Sequence, residues 1–508
     1  MNLDWPTLLV IGTTIVCVRA MFRPALFSLL ILPLLMWQGA VVSAGVSLNA
    51  AKVLYGFLFL TLMLQRFCQA KWRERRGEGV PREQAKKIWP VLYIAFFSTV
   101  VFILLPSPAS EVTYLAVSMW QTPPWRGIVA AALWCARILP VFVAARWVRS
   151  PQMFARCIRV FLVAMIITAG IGLLQWIGFY LFPPLERALA YFSFEGVEGD
   201  GGGVYVGSKG LVSYRPSALA GEPRHFAFAM SISAMLTLLC SVSNVPYIPK
   251  WMKHPALFIL FTVMVIFSGS ASAILSTFVG LIALLGWFMI RGAREASQTR
   301  SILKLLAMVL VPALLVGLLG SRFGYFERVM DYIEQVVFID SSRGAAWLQF
   351  YIEGSRGQYT AYLSWLAAEP QYLVLGAGIG NGAFHAYDYL PSSNPFSRLT
   401  FTTARVGIID LISDIGLVGA GLVGMVWLSW WRYCARRIEF LGLERATVVH
   451  VSLGMIVFLV AYSLAFDASS VIWFFFGVAF GCCGNLPLRA PDRALTGRLS
   501  VRVVADSG

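Results

Sequence analysis

Along most of the chain, apolar residues run for roughly the ~20 positions a helix needs to cross a hydrocarbon layer, and short clusters of Lys and Arg separate the runs. The runs fall near residues 7–19, 24–39, 50–67, 88–105, 126–147, 157–181, 224–243, 255–268, 272–290, 303–320, 409–431, 446–465 and 470–485. Each predicts a helical span. The first two are short and split by Arg19 and Arg23. The stretch 255–290 is too long for one crossing. Ser268-Gly269-Ser270-Ala271-Ser272 near its middle predicts a tight hairpin, with small residues that let helices approach closely.

The pattern changes in two places, about 182–223 and 321–408, where polar residues prevail. The first segment is acidic and Gly-rich early (Glu195, Glu198, Asp200, Gly201-Gly202-Gly203) and leads from Ser213 straight into a span. The second is too long to be a connector, and long ordered loops carry function. Within it, Tyr359, Tyr362, Leu363, Leu366 and Ala367 recur at helical spacing, which predicts an amphipathic helix across the membrane face. The expected fold class is therefore all-α: a polytopic membrane protein with a bundle of about 12–14 transmembrane helices and one large helical loop. Residues 1–320 form the first group of spans with the smaller loop at 182–223. The large loop occupies 321–408, further spans 409–485, and a basic tail 486–508.

Composition agrees, with 58% hydrophobic and 13% charged residues. The net charge of +16 does not form a nucleic-acid stripe, because most Lys and Arg stand in short loops beside apolar runs. The densest cluster, Lys71-Trp72-Arg73-Glu74-Arg75-Arg76 with Arg82, Lys86 and Lys87, belongs in the cytoplasm by the positive-inside rule. So do Arg146/Arg149/Arg156, Lys250/Lys253, Arg291/Arg294/Arg300 and Arg432/Arg436/Arg437. Walking outward from these assignments places both long loops on the opposite side. The eight cysteines offer no disulfide framework and no C-x-x-C pair. Walker, H-E-x-x-H and G-x-S-x-G motifs are absent, so no metal or nucleotide cofactor is expected.

Candidate chemistry concentrates in the two loops. Arg215 and Arg224 belong to the first, and Arg343, Arg356, Arg398 and Arg405 to the second. Such arginines either pair with nearby acids and headgroups or converge on a diphosphate, which favours planar bidentate donors. Arg137 stands near the middle of the span 126–147, where a guanidinium is costly and faces the bundle interior. Asp410 and Asp414 open the span 409–431 and suit either a helix cap or a carboxylate facing the loop. Glu222 precedes Pro223 at the start of a helix. His385, in GNGAFHAYD, is either a surface residue or a contributor to the site, and His450 is buried in a span.

Three segments together resemble the O-antigen polymerase/O-antigen ligase superfamily of membrane glycosyltransferases. The first is Arg215 followed by GEPRHFAFAM at 221–230. The second is Ser355-Arg356, a helix to Pro370, and then Leu375-Gly376-Ala377-Gly378-Ile379-Gly380. The third is DLISDIGLVGAGLVG from Asp410 to Gly424. The resemblance covers roughly residues 50–485. Ligases of that superfamily carry a His shortly before the third segment. Here that place falls near Arg405-Val406, which tips the resemblance toward the polymerase branch.

The resemblance implies a GT-C-like bundle in a bacterial inner membrane, with both long loops periplasmic. It implies polymerisation of undecaprenyl-diphosphate-linked repeat units into O-antigen or a related polysaccharide. Arg215 and Arg356, with Arg343, Arg224, Arg405, Arg137 and His385 in support, would bind the diphosphate-linked substrate. Glu222, Asp410 or Asp414 would orient or deprotonate the acceptor. Partners would be the lipid-linked glycan, membrane lipid and a chain-length regulator, with no nucleic acid, metal or cofactor. An O-antigen ligase, or a lipid-glycan flippase, is the alternative reading.

Overall fold

The computed structural model describes residues 5–23, 25–37, 40–43, 46–69, 80–104, 123–182, 184, 204–206, 212–292, 360–390, 407–463 and 469–484. Every predicted span within these residues is occupied by helix: α1 (Trp5–Phe22), α2 (Ala25–Met36), α3 (Ala50–Gln69), the short α4 (Arg82–Lys86) leading into α5 (Trp89–Leu104), then α6 (Pro123–Ala136), α7 (Leu139–Trp147) and α8 (Pro151–Leu181). There follow α9 (Pro223–Val242), α10 (Pro255–Phe267), α11 (Ala271–Gly292), α12 (residues 360–368), α13 (Pro370–Leu375), α14 (Gly382–Ala386), α15 (Gly407–Arg437), α16 (Leu443–Tyr462) and α17 (Ser469–Cys483). The expected span 303–320, the acidic stretch before Val204 and the tail 486–508 lie outside the described residues. Among the described residues, six helices are long and apolar enough to cross a membrane, and the bundle is membrane-embedded.

Local chemistry sets the helix starts. Ser150 accepts from Met153 N at 3.2 Å to cap α8, with Pro151 at the first helical position. His254 accepts from Ala256 N at 3.2 Å at the start of α10. The predicted hairpin forms at Ser268-Gly269-Ser270, where Gly269 takes φ 57° between α10 and α11. The core is aliphatic and aromatic, with Phe27, Phe154, Phe161, Phe226, Phe258, Phe261 and Trp430 fully buried.

Three expectations need correction. The stretch 126–147 is two helices, broken at Arg137 and Ile138. Pro140 lacks the N–H that would bond to Ala136 O, and its ring crowds that carbonyl, so the ladder is interrupted one turn earlier. Arg137 sits at this interruption, while Gly127–Trp147 as a whole remains long and apolar enough to be one crossing. Second, two short antiparallel ribbons accompany the helices: Ala40–Ser43 with Val46–Asn49, and Val204–Val206 with Val212–Tyr214. Third, the amphipathic stripe of the large loop is phased differently. Ala361, Tyr362, Trp365 and Leu366 are buried, whereas Leu363 and Ala367 are exposed. That stripe packs on Ala377, Ala383, Ala386 and Leu390 and on Ile409 and Ile412 of α15, so the segment 360–390 carries a small core of its own.

Side-chain bonds define the two ends of the bundle. At one end Trp430 Nε1 donates to Gln84 O at 3.1 Å, Arg437 to Gly484 O at 3.2 Å, Cys482 Sγ approaches Val148 O, Arg159 donates to Tyr247 O at 2.7 Å, and Tyr247 Oη to Glu444 at 3.0 Å. Lys87 bonds Ser429 there as well. This end gathers Lys86, Lys87, Arg146, Arg149, Arg156, Lys250, Lys253, Arg432, Arg436 and Arg437. By helix direction, the C-termini of α5, α8 and α10 and the N-termini of α6, α9, α11 and α15 lie at the other end. The segments 212–222 and 360–390 are docked there.

Candidate functional site

At the end opposite the basic one, two groups of candidate residues are built on different supports. The first is the turn from Tyr214 to His225. Tyr214 N donates to Tyr180 Oη at 2.9 Å and Ala218 N to Gln175 Oε1 at 3.0 Å, so the C-terminal turns of α8 carry this segment. Ala218 adopts φ 44° and Gly221 φ 82°. A left-handed alanine costs about 1–2 kcal/mol and persists only where its surroundings hold it, and here Gln175 does so. Phe179 stacks on Tyr214 at 5.0 Å and Trp176 on Phe267 at 4.7 Å, joining the turn to the α10–α11 hairpin.

Arg215 is half-buried, and its Nε donates to Ser268 O at 3.3 Å, a carbonyl at the C-terminus of α10. A guanidinium there favourably meets the negative end of the helix dipole. Glu222 immediately precedes α9 but makes no capping bond with its side chain. Its carboxylate turns to Arg224, at 2.7 Å from Nε, and lies 3.7 Å from His225 Nδ1. Both partners of the Glu222–Arg224 pair are 40% or more exposed, so the pair adds little stability and stays open to exchange with another anion.

The second group forms where the glycine-rich run of the large loop meets α15. α15 is broken at Gly416, with φ 68° and ψ 175°. The break releases the carbonyls of Ser413 and Asp414, which accept from Ala377 N at 2.8 Å and Gly378 N at 3.0 Å. The Asp414 carboxylate accepts from Gly380 N at 2.9 Å. Asp414 thus holds the glycine run in place. Asp410 sits in the first turn of α15, where a carboxylate is favoured by the helix dipole, and its carbonyl accepts from Ser413 Oγ.

Contact is so close that only glycine fits. A Cβ on Gly376 would lie 2.5 Å from Asp414 O, and one on Gly416 2.2 Å from Val374 O. Gly378 abuts Ser98 and Thr99 of α5, and Gly380 abuts Ala130 of α6. Asn381, fully buried, lies beside Gly127, and its amide oxygen and nitrogen have no hydrogen-bond partner among the described residues.

His385 is a buried member of an aromatic cluster rather than a surface residue. Its ring stacks on Trp365 at 5.2 Å and 17° and lies 4.6 Å from Tyr372. Burial pulls its pKa down to about 4. At neutral pH the imidazole is therefore uncharged, which suits a ring stacked on an indole better than it suits an anion ligand.

The structure therefore joins Arg215 to Ser268, Glu222 to Arg224 and His225, and Asp414 to Gly380. Arg343, Arg356 and Arg405 lie outside the described residues. Arg137, at the α6–α7 break, is close enough to Lys52 of α3 for the two charges to act on each other. Sequence reasoning missed Gln175, Ser268, Asn381 and Trp365. Gln175 had a readable signal, as a lone amide inside the apolar run 157–181. No protein-family model matches the chain, and no curated protein matches it.

Proposed function

We propose that this protein polymerises glycan repeat units carried on undecaprenyl diphosphate, working at the periplasmic face of a bacterial inner membrane within a bundle of about 12–14 spans. The carrying observation is the shared location of the described parts of the three motif segments, Ser355-Arg356 lying outside the described residues. Arg215 with Gly221-Glu222-Pro223, the glycine run 376–380 and the Asp410–Gly416 segment all lie at the end of the bundle opposite the basic one, and the last two are in direct contact. The basic end then faces the cytoplasm.

In the proposed reaction a hydroxyl of one lipid-linked unit attacks the anomeric carbon of another. The bond between that carbon and the diphosphate oxygen breaks, and the lipid diphosphate leaves with one more negative charge. Arg215, Arg356 and Arg343 stabilise that charge as it grows. The acceptor proton passes to a carboxylate. Asp414 is engaged with Gly380 N–H, so it acts here as a positioning residue. Glu222, in an exposed ion pair, and Asp410 are the better proton acceptors. The activated glycosyl diphosphate supplies the driving force.

The test is chain length in cells and in membranes carrying variants. Arg215→Ala and Arg356→Ala should abolish lengthening while protein level is unchanged, with Lys restoring it only in part because the bidentate fork is lost. Asp414→Asn, which keeps the acceptor for Gly380 N–H, should retain polymer. Normal chain length in both arginine variants would overturn the reading. In a cell lacking the protein, single-repeat glycans favour polymerase, and long chains stranded on the carrier lipid favour ligase.

A flippase is the second reading, and the broken helices at Arg137 and Gly416 favour it, because transporters bind cargo at such breaks. Against it, the Gly416 break is filled by the protein's own glycine run. Glycan lengthening by purified protein without a gradient decides between the two.

A further inference from the structure

The depth of the segment 370–381, which sequence places in a water-exposed loop, can be measured against its neighbours. Three helices serve as rulers. Counting about 20 residues, the span of the hydrocarbon core, from Arg432 at the basic end of α15 reaches about residue 412. Gly416, which touches Gly376, is therefore roughly 6 Å inside at 1.5 Å per residue. On α5, Thr99, the neighbour of Gly378, stands about 18 Å beyond Lys87 at 1.5 Å per residue, short of the ~30 Å thickness of the hydrocarbon core. On α6–α7, counting about 20 residues back from Trp147 ends at Gly127, so Ala130, the neighbour of Gly380, also falls within the layer.

Non-helical backbone survives at such depth only if its polar groups are satisfied by protein. Gly376 N donates to Tyr372 O, Ala377 N to Ser413 O, Gly378 N to Asp414 O, Gly380 N to the Asp414 carboxylate and Asn381 N to Gly378 O. α13 exposes Val374 and Leu375 at its C-terminal end, with Gln371, exposed and hydrogen-bonded to Glu369, one turn earlier. Val374 is 45% and Leu375 48% accessible. The Val374 backbone abuts Gly416, directly before Leu417 and Val418 at 49% and 43%, and Met425 further along α15 is 59% accessible.

We propose that residues 370–381 form a re-entrant wedge, with Val374 and Leu375 in contact with lipid acyl chains as an extension of the lipid-facing surface of α15. The glycine run is the tip of the wedge, latched to the break in α15, and α12 with the Trp365–His385 cluster stays on the water side. The wedge does not depend on the glycan chemistry, only on the bundle being in a membrane.

Spin labels on single cysteines in the full chain, reconstituted into phosphatidylethanolamine/phosphatidylglycerol vesicles, test it. Val374→Cys and Leu375→Cys should show the high ratio of oxygen to water-soluble nickel-complex collisions seen at Met425→Cys. Asp388→Cys should show the low ratio of an aqueous site. All four positions are exposed or half-exposed, so the labels do not disturb packing, and a brominated-lipid quenching measurement on the same sites repeats the reading. A ratio at 374 and 375 equal to that at 388 would overturn the wedge and leave the polymerase reading intact. Loss of polymerisation in Arg215→Ala carries no information about the wedge.

Discussion

One methyl group at Gly416 tests how tightly the large loop is held. Its φ of 68° strains any side chain, and the added Cβ would approach Val374 O and Gly376 N at 2.2 and 2.6 Å. Both atoms are backbone, so nothing can rotate away. Gly416→Ala should cost more than about 2 kcal/mol, from left-handed strain together with the clash. It should lower the melting temperature in detergent and expose the 360–390 segment to protease. Gly421, five residues along the same helix, has nothing within 4 Å of its would-be Cβ. Gly421→Ala should be neutral or stabilising by up to about 1 kcal/mol. Equal melting temperatures for the two variants would mean that the loop does not dock at the break. In the sequence these glycines look alike, because hydropathy records no backbone contact. Asn381 was illegible for the same reason, since its burial depends on two helices more than 250 residues earlier.

Among the elements, the small core of 360–390 carries a pH dependence whose sign follows from His385. Its folded-state pKa, lowered by burial from 6.5 to about 4, means that the unfolded segment binds more protons between those values. Stability from this site is complete above about pH 6.5, falls as pH drops toward 4, and levels off below. The loss is about 3 kcal/mol, since each tenfold difference in proton affinity between the folded and unfolded segment is worth about 1.4 kcal/mol. Hydrogen exchange of 360–390 should accelerate across that window, and His385→Phe should flatten the response by keeping the stack on Trp365 without a titrating ring. An unchanged profile in His385→Phe would assign the effect elsewhere. The helical period in this segment was readable, but its phase was not. Reading Leu363 as buried assumed a lipid floor beneath the helix, whereas the stripe through Trp365 faces Ala377, Ala383 and His385 of the same loop. Likewise the run 126–147 gave the length of a crossing but hid its break, although Pro140 was in plain view.

For the whole molecule, the decisive quantity is the separation of charge between its ends. The apolar runs made the bundle legible, because burying a backbone in lipid leaves helices as the only open-ended solution. The charge pattern already separated the two ends, and bonds such as Trp430 to Gln84 and Arg159 to Tyr247 bring elements of the basic end together. If that side faces the cytoplasm, a cysteine at Asp388 should react with a membrane-impermeant maleimide on intact cells. A cysteine at Glu439, exposed in the α15–α16 connection, should react only after permeabilisation. The native thiols at Cys17, Cys157, Cys240, Cys434, Cys482 and Cys483 are buried, whereas Cys135 is exposed, so the labelling is carried out with Cys135 and Cys68 both replaced by Ser. Labelling at 439 from outside would invert the bundle. It would place Arg215, Glu222 and the glycine run in the cytosol, and the periplasmic reaction proposed above would fail even though every contact described above remained intact.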